Sequence, residues 1–162
     1  MTRLRATAVV AVCAVLGMTG CTTSTGSDRH DVDLATVEEE AVSIVDRTAS
    51  AVGGTWKVYS GPSVETCGDG AEDSARYVYI VERFDTEDTD PAADIQLVQD
   101  LWDAQGITTA AYRSGGTDPL LGMRGRGGPV TSIAFNAYPQ RYSITALSGC
   151  ADGDVAELRE GQ

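Results

Sequence analysis

The order of segment types constrains this chain most. Residues 34–54 read LATVEEEAVSIVDRTASAVGG, with Val37, Ala41, Ile44, Val45, Thr48 and Val52 at helical spacing and Glu38, Glu39 and Glu40 on the other side. Asp33 is placed to cap this helix and Gly53–Gly54 to end it. TWKVYSGPSVETC follows as a strand interrupted at Gly61–Pro62, and the proline points to a sheet edge or a bend. After a turn, GDGAEDS, comes the strongest strand pattern, ARYVYIVERF, dense in Tyr, Val and Ile. A second helix starts with Asp90 as cap and Pro91 in its first turn; Ile95, Val98, Leu101 and Trp102 form its buried side and Gly106 its stop. The remainder reads as strands: ITTAAYR, a short LLGMR, then GRGGP as a turn, then a hairpin of VTSIAFNAY and RYSITALSG about Pro139–Gln140. ADGDVAELRE is expected to be a short terminal helix. Helix, two strands, helix and four strands predict an α+β fold: a mostly antiparallel sheet of about five to six strands, with two main helices packed on one face.

The N-terminus belongs to a different category. Residues 6–18 form an apolar run of 13, broken only by Thr7 and Gly17 and preceded by Arg3 and Arg5. A spanning helix needs about 20 apolar residues. The run is too short for that and has the pattern of a signal-peptide core. It ends at Met18, Thr19, Gly20 and Cys21, which resemble the lipobox of bacterial lipoproteins: an aliphatic residue, a small residue, Gly or Ala, then Cys. The one departure is Met18, where Leu is commoner. The resemblance implies a diacylglyceryl group on the Cys21 thiol, cleavage between Gly20 and Cys21, and an acylated amino terminus. Two or three acyl chains anchor stably where one is marginal. The alternative is ordinary secretion with Cys21 as a spare thiol.

This sets the domain plan: residues 1–20 as lipoprotein signal peptide, 21–33 as flexible tether, 34–162 as a single domain. The tether, rich in Ser, Thr, Gly and Asp, has no apolar periodicity. Its root-mean-square span is about 20 Å. With Cys13 leaving in the signal and Cys21 lipidated, Cys67 and Cys150 remain. An even pair in an exported chain reads as one disulfide, with two buried free thiols as the alternative. A metal site is poorly supported, because two distant cysteines lack the paired spacing of zinc sites.

Charge narrows the partners. The chain carries −12, and without Arg3 and Arg5 ten basic residues face 24 acidic ones, so the processed form is near −14. Such a surface repels nucleic acid and bare anionic lipid, so nucleic acid is not an expected partner. Arginine occurs 11 times against one lysine, Lys57, a usage typical of GC-rich genomes such as those of actinobacteria.

No catalytic constellation emerges. The one histidine, His30, lies in the tether, so neither a Ser–His–Asp nor a Cys–His arrangement of the usual form is available to the domain. Lys57, between Trp56, Val58 and Tyr59, reads as an exposed strand residue rather than a Ser–Lys base. Carboxylates at Asp69, Glu72, Asp73, Asp85, Glu87, Asp88 and Asp90 all fall in turn-like segments, and no spacing selects two for glycoside cleavage. The loop DTEDTDPAAD lacks the alternation, central glycine and terminal glutamate of an EF-hand; helix capping explains Asp90 better. Arg124 and Arg126 stand in GMRGRGGP as the one basic spot of an acidic domain. Arginine forks and glycine-rich backbone suit an anion, though the segment is not a P-loop, and an ordinary hairpin turn is the competing reading. Trp56, Tyr59, Tyr77, Tyr79, Tyr112, Tyr138 and Tyr142 divide between core and outer face, and an open sheet face bearing tyrosines would suit recognition.

GPSVETC, RSGGTDP, GGPVTSIAF and YSITALSGC are similar to segments of small actinobacterial lipoproteins of unassigned function, the LppA-like ones among them. That resemblance covers most of the domain. It implies a membrane-anchored envelope domain with a Cys67–Cys150 bridge, and it carries over no catalytic residue. The expectation is therefore a lipid-anchored extracytoplasmic lipoprotein at the cell membrane. Its domain is a non-enzymatic module without cofactor or metal, binding an envelope protein or a small ligand. A carboxylate-based envelope enzyme or accessory subunit is the first alternative, and a purely structural envelope component the second.

Overall fold

The structure, a computed structural model, describes residues 33–68, 73–117 and 119–161. The signal segment, Gly20, Cys21, His30, nearly all of the tether, and Asp69 and Glu72 lie outside the described residues. The elements are α1 (Leu34–Val52), β1 (Lys57–Thr66), β2 (Ser74–Arg83), α2 (Pro91–Asp103), β3 (Thr108–Ser114), β4 (Leu120–Gly127), β5 (Val130–Tyr138), β6 (Arg141–Ser148), β7 (Ala151–Asp152) and α3 (Val155–Glu160). The α+β class holds. One antiparallel sheet runs in the order β1-β2-β6-β5-β4-β3, with β7 against the start of β2. α2 carries the chain from β2 to the far edge at β3, and a meander from β3 to β6 returns to β2's open side.

α1 and α2 lie on the same sheet face because their apolar sides need one common surface. Ala41, Ile44 and Val45 of α1 and Val98 and Trp102 of α2 pack with Tyr79, Val81, Met123, Ile133, Phe135, Tyr142 and Ile144. A smaller cluster joins Val37 to Val64, Ala75, Tyr77, Ala151 and Val155, so α3 seals the β1 end of the same face. Trp102, fully buried, donates its indole N–H to Thr48 Oγ1 at 2.9 Å, and Thr48 donates to the Ile44 carbonyl at 2.7 Å. This chain of donors leaves no unpaired polar atom between the two helices, where one would cost about 1–3 kcal/mol. Cys67 and Cys150 form a disulfide with Cα atoms 5.8 Å apart, joining the end of β1 to the end of β6. No helix among the described residues is long and apolar enough to cross a membrane.

Four sequence expectations change. Asp33 occupies the α1 cap position, but its side chain makes no capping hydrogen bond; its backbone carbonyl accepts from Val37 instead. β1 is not interrupted at Gly61–Pro62: it bends through two register shifts against β2 and continues, as an edge strand can. The terminal helix begins at Val155, because Ala151 and Asp152 pair with Ala75 and Ser74 and make the seventh strand, one more than expected. β4 continues through Gly125, Arg126 and Gly127, so GRGGP is not a turn; the turn is confined to Gly128 and Pro129. The physical reason lies at Gly125. A Cβ there would meet Ile107 at 2.5 Å, Ile133 at 2.9 Å and Trp102 at 3.1 Å, so this glycine makes room for packed core side chains rather than bending the chain.

Candidate functional site

Alternation along the strands decides what the other sheet face carries. With Tyr79, Val81, Phe135 and Ile144 beneath the helices, their neighbours in sequence point the opposite way. All three described helices pack on the inner face, so this outer face has no helix over it. Pairing aligns Glu82 with Ser143, Ser143 with Asn136, Asn136 with Gly122 and Gly122 with Tyr112, giving one row across five strands. The next row holds Ile80, Thr145, Ala134, Arg124 and Ala110.

Tyr112, Asn136 and Ser143 of the first row form a connected polar network. Tyr112 lies across Gly122, where any Cβ would collide with its ring. Its hydroxyl thereby reaches over β4 and donates to Asn136 Oδ1 on β5. Asn136 Nδ2 donates to Ser143 Oγ on β6 at 2.9 Å. The Arg124 guanidinium stands over the Tyr112 ring, 4.8 Å from its centre, a cation–π contact. Burial, then the neighbouring Tyr138 phenol, push the Tyr112 hydroxyl up to about 12, against an opposing pull from Arg124. Tyr112 is therefore a neutral donor at any physiological pH. At the row's other end Glu82, its side chain 8% exposed, pairs with Arg141 at 2.9 Å.

The predicted residues distribute unevenly. Arg124 and Arg126 are both exposed, two residues apart on the outer side of β4, facing Ala110 and Thr108 of β3. No described carboxylate forms an ion pair with either, or with Arg113 of β3, whereas Arg76, Arg83 and Arg141 are each paired. Of the aromatic residues, Tyr77, Tyr79 and Tyr142 are buried, Tyr59 is exposed on β1, and Tyr112 and Tyr138 are half-buried on the outer face. Trp56 is half-buried, donating to the Gly53 carbonyl. Lys57 is exposed at the start of β1, opposite Glu82. The candidate carboxylates do not converge among the described residues. Asp85 accepts from Arg83, which holds its carboxyl below the usual range, and Asp90 caps α2. No group of three His, Cys, Asp or Glu side chains among the described residues could hold a metal ion.

Gly122, Asn136, Ser143 and Arg113 escaped the sequence reading. A signal existed for Asn136, a carboxamide inside an otherwise apolar strand pattern, but its partners stand 24 and 7 residues away. Clefts flank the helices among the described residues. One of about 540 Å³ runs between α1 and α2 past Glu39, Val42, Asp46, Arg47 and Leu101. A second, of about 250 Å³, lies between α2 and β3 and is lined by Ala92, Ile95, Ala111, Tyr112, Arg113 and Leu121, with Gly122. What the geometry offers chemically is hydrogen-bond donors, guanidinium groups and apolar recesses.

No family model matches the chain, and no curated protein matches it. Among solved structures it is similar to a DUF4853 family protein from Actinomyces odontolyticus, at 18% identity and a TM-score of 0.49, over 76% of this chain and 67% of the other.

Proposed function

We propose that this chain is a lipid-anchored lipoprotein on the extracytoplasmic side of the cell membrane, and that its domain is a non-enzymatic binding module of the envelope. The observation that carries the binding reading is the helix-free sheet face: a pre-ordered Tyr112–Asn136–Ser143 row beside an arginine, Arg124, that no described carboxylate neutralises. Pre-ordering matters because side chains already held in place lose little freedom on binding. The anchor reading rests on the lipobox residues Met18, Thr19, Gly20 and Cys21. Leu34 packs at the β7 and α3 end of the sheet, and β3 is the edge opposite β1.

Two measurements test the two halves. Cys21→Ser protein is expected to leave the membrane fraction; its persistence there would sink the anchor. Envelope extract passed over the immobilised chain is expected to yield a component that an Arg124→Glu, Asn136→Ala variant fails to retain. Equal retention by both, or none by either, counts against the binding module.

A further inference from the structure

We infer that the free edge of β3 accepts an acidic, extended segment of a partner protein as an added strand. This rests on the binding-module reading and names the class of partner. β3 pairs with β4 in unbroken register from Thr108↔Arg126 to Ser114↔Leu120, and no described strand lies on its other side. Thr108, Ala110, Ala111, Arg113 and Ser114 are all exposed. The strand contains no proline and no bulge, and its one charge is Arg113. The opposite edge, β1, is bent at Pro62 with two register shifts and also carries the exposed Lys57.

The groups beside the edge specify the guest. Strand addition takes its affinity from main-chain hydrogen bonds and its selectivity from recesses for alternate side chains. Thr109, Ala111 and Arg113 share the helix side of β3, since their partners Gly125, Met123 and Leu121 include the buried Met123. A guest side chain above Ala111 enters the apolar cleft of Ala92, Ile95 and Leu121. Two residues along, the next on that side meets Arg113, which no described carboxylate pairs. At the other end Asp103 accepts from Thr109 at 2.9 Å, so acid is welcome near Arg113 and repelled near Thr109. That polarity sets the guest's direction. Toward the outer face, small Ala110 leaves Arg124 within reach of a second acidic side chain. A second copy of β3, paired antiparallel about Ala111, would set its Arg113 beside Asp103 but would leave Arg124 and Arg126 unneutralised on both copies. The uncompensated arginines favour the acidic guest.

The test titrates a capped heptapeptide, Thr-Glu-Thr-Leu-Glu-Thr-Thr, into the isotopically labelled full chain in detergent micelles. Paired antiparallel with Thr108–Ser114, its first Glu faces Arg113, its Leu the recess at Ala111, its second Glu the outer face beside Ala110, and a Thr faces Thr109. Saturable shifts of the backbone amides of Thr108–Ser114 are expected. Methylating alternate amides of the peptide should weaken binding roughly tenfold or more, because the strand bonds are lost. Arg113→Glu, at an exposed side chain, should weaken the peptide by about tenfold and favour its lysine-for-glutamate counterpart. A thermal melt superimposing that variant on the parent separates lost binding from lost fold. Absence of β3 shifts, indifference to amide methylation, or indifference to the charge swap would each overturn the proposal. So would concentration-dependent β3 shifts without peptide, which would make a second copy the occupant. Shifts confined to Asn136 and Ser143 would overturn the edge while leaving the outer-face module standing, and the envelope-retention comparison reads that module separately.

Discussion

Gly125 has no Cβ because Trp102, Ile107 and Ile133 already fill the space beside it. In sequence it belongs to a glycine-rich string that imitates a turn, and only the packed side chains of Ile107, Ile133 and Trp102 reveal its use. Gly125→Ala is expected to lower stability by about 1–3 kcal/mol through overpacking, measured by chemical denaturation. An unchanged midpoint would mean that Trp102 has room to move. Tyr142 shows a different residue-scale effect. It is fully buried, donates to Asp94 at 2.8 Å and meets Phe135 edge-on at 5.5 Å. Burial first, and Asp94 after it, push its phenol from 10.0 up to about 12, with Thr89 and Arg83 opposing. The folded state therefore holds a proton that the unfolded chain releases near 10.0, so stability is complete below that pH and falls as pH rises towards 12. The denaturation midpoint should drop across this window, and the drop should shrink in Tyr142→Phe. An equal drop in both would assign the alkaline sensitivity elsewhere.

At the scale of elements, legibility follows how local the signal is. The start of α2 was readable because its cause is local: Asp90 Oδ1 accepts from the Ala92 and Ala93 N–H groups at 3.1 Å, with Pro91 fixing the first turn. Asp33 has the same residue type at the same kind of position and caps nothing with its side chain. Asp90→Ala should therefore cost about 1 kcal/mol, and Asp33→Ala far less, in paired melting experiments. Equal losses would show that Asp33 acts through a bond absent from this structure. The strands misread in extent, β4 and β7, are those whose limits depend on a neighbour. Pro62 marks an edge and a bend, as its lack of a donor implies, and β1 runs past it because an edge strand needs hydrogen bonds on one side only. Ala151 and Asp152 became a strand because Ser74 and Ala75 of β2 lacked a partner where β6 ends.

For the whole molecule, the long α2 crossover and the disulfide act together. The crossover places β3 at the edge farthest from β1, and the Cys67–Cys150 bond, spanning 83 residues, closes the loop that contains both. Loop-entropy reasoning assigns such a closure about 4–5 kcal/mol. Cys67→Ser, Cys150→Ser protein should lose about that much in denaturant titrations, with strain in the native state lowering the figure. A loss near zero would show that the unfolded chain is already compact across this loop. The sheet's order also creates an asymmetry of faces: one packed beneath the helices, the other holding the Tyr112–Asn136–Ser143 row.

By itself the sequence determined the kinds and order of every element but β7, the α+β class, the α2 cap and the pairing of Cys67 with Cys150. These depend on hydrophobic period, capping chemistry and parity, all of which act over a few residues or by counting. Only the tertiary structure decided which glycine packs, which tyrosine faces outward, and that Arg113 and Arg124 stand beside a free edge without a described acidic partner. Those facts depend on strand order and register, set by the shared core rather than by any segment's own preference.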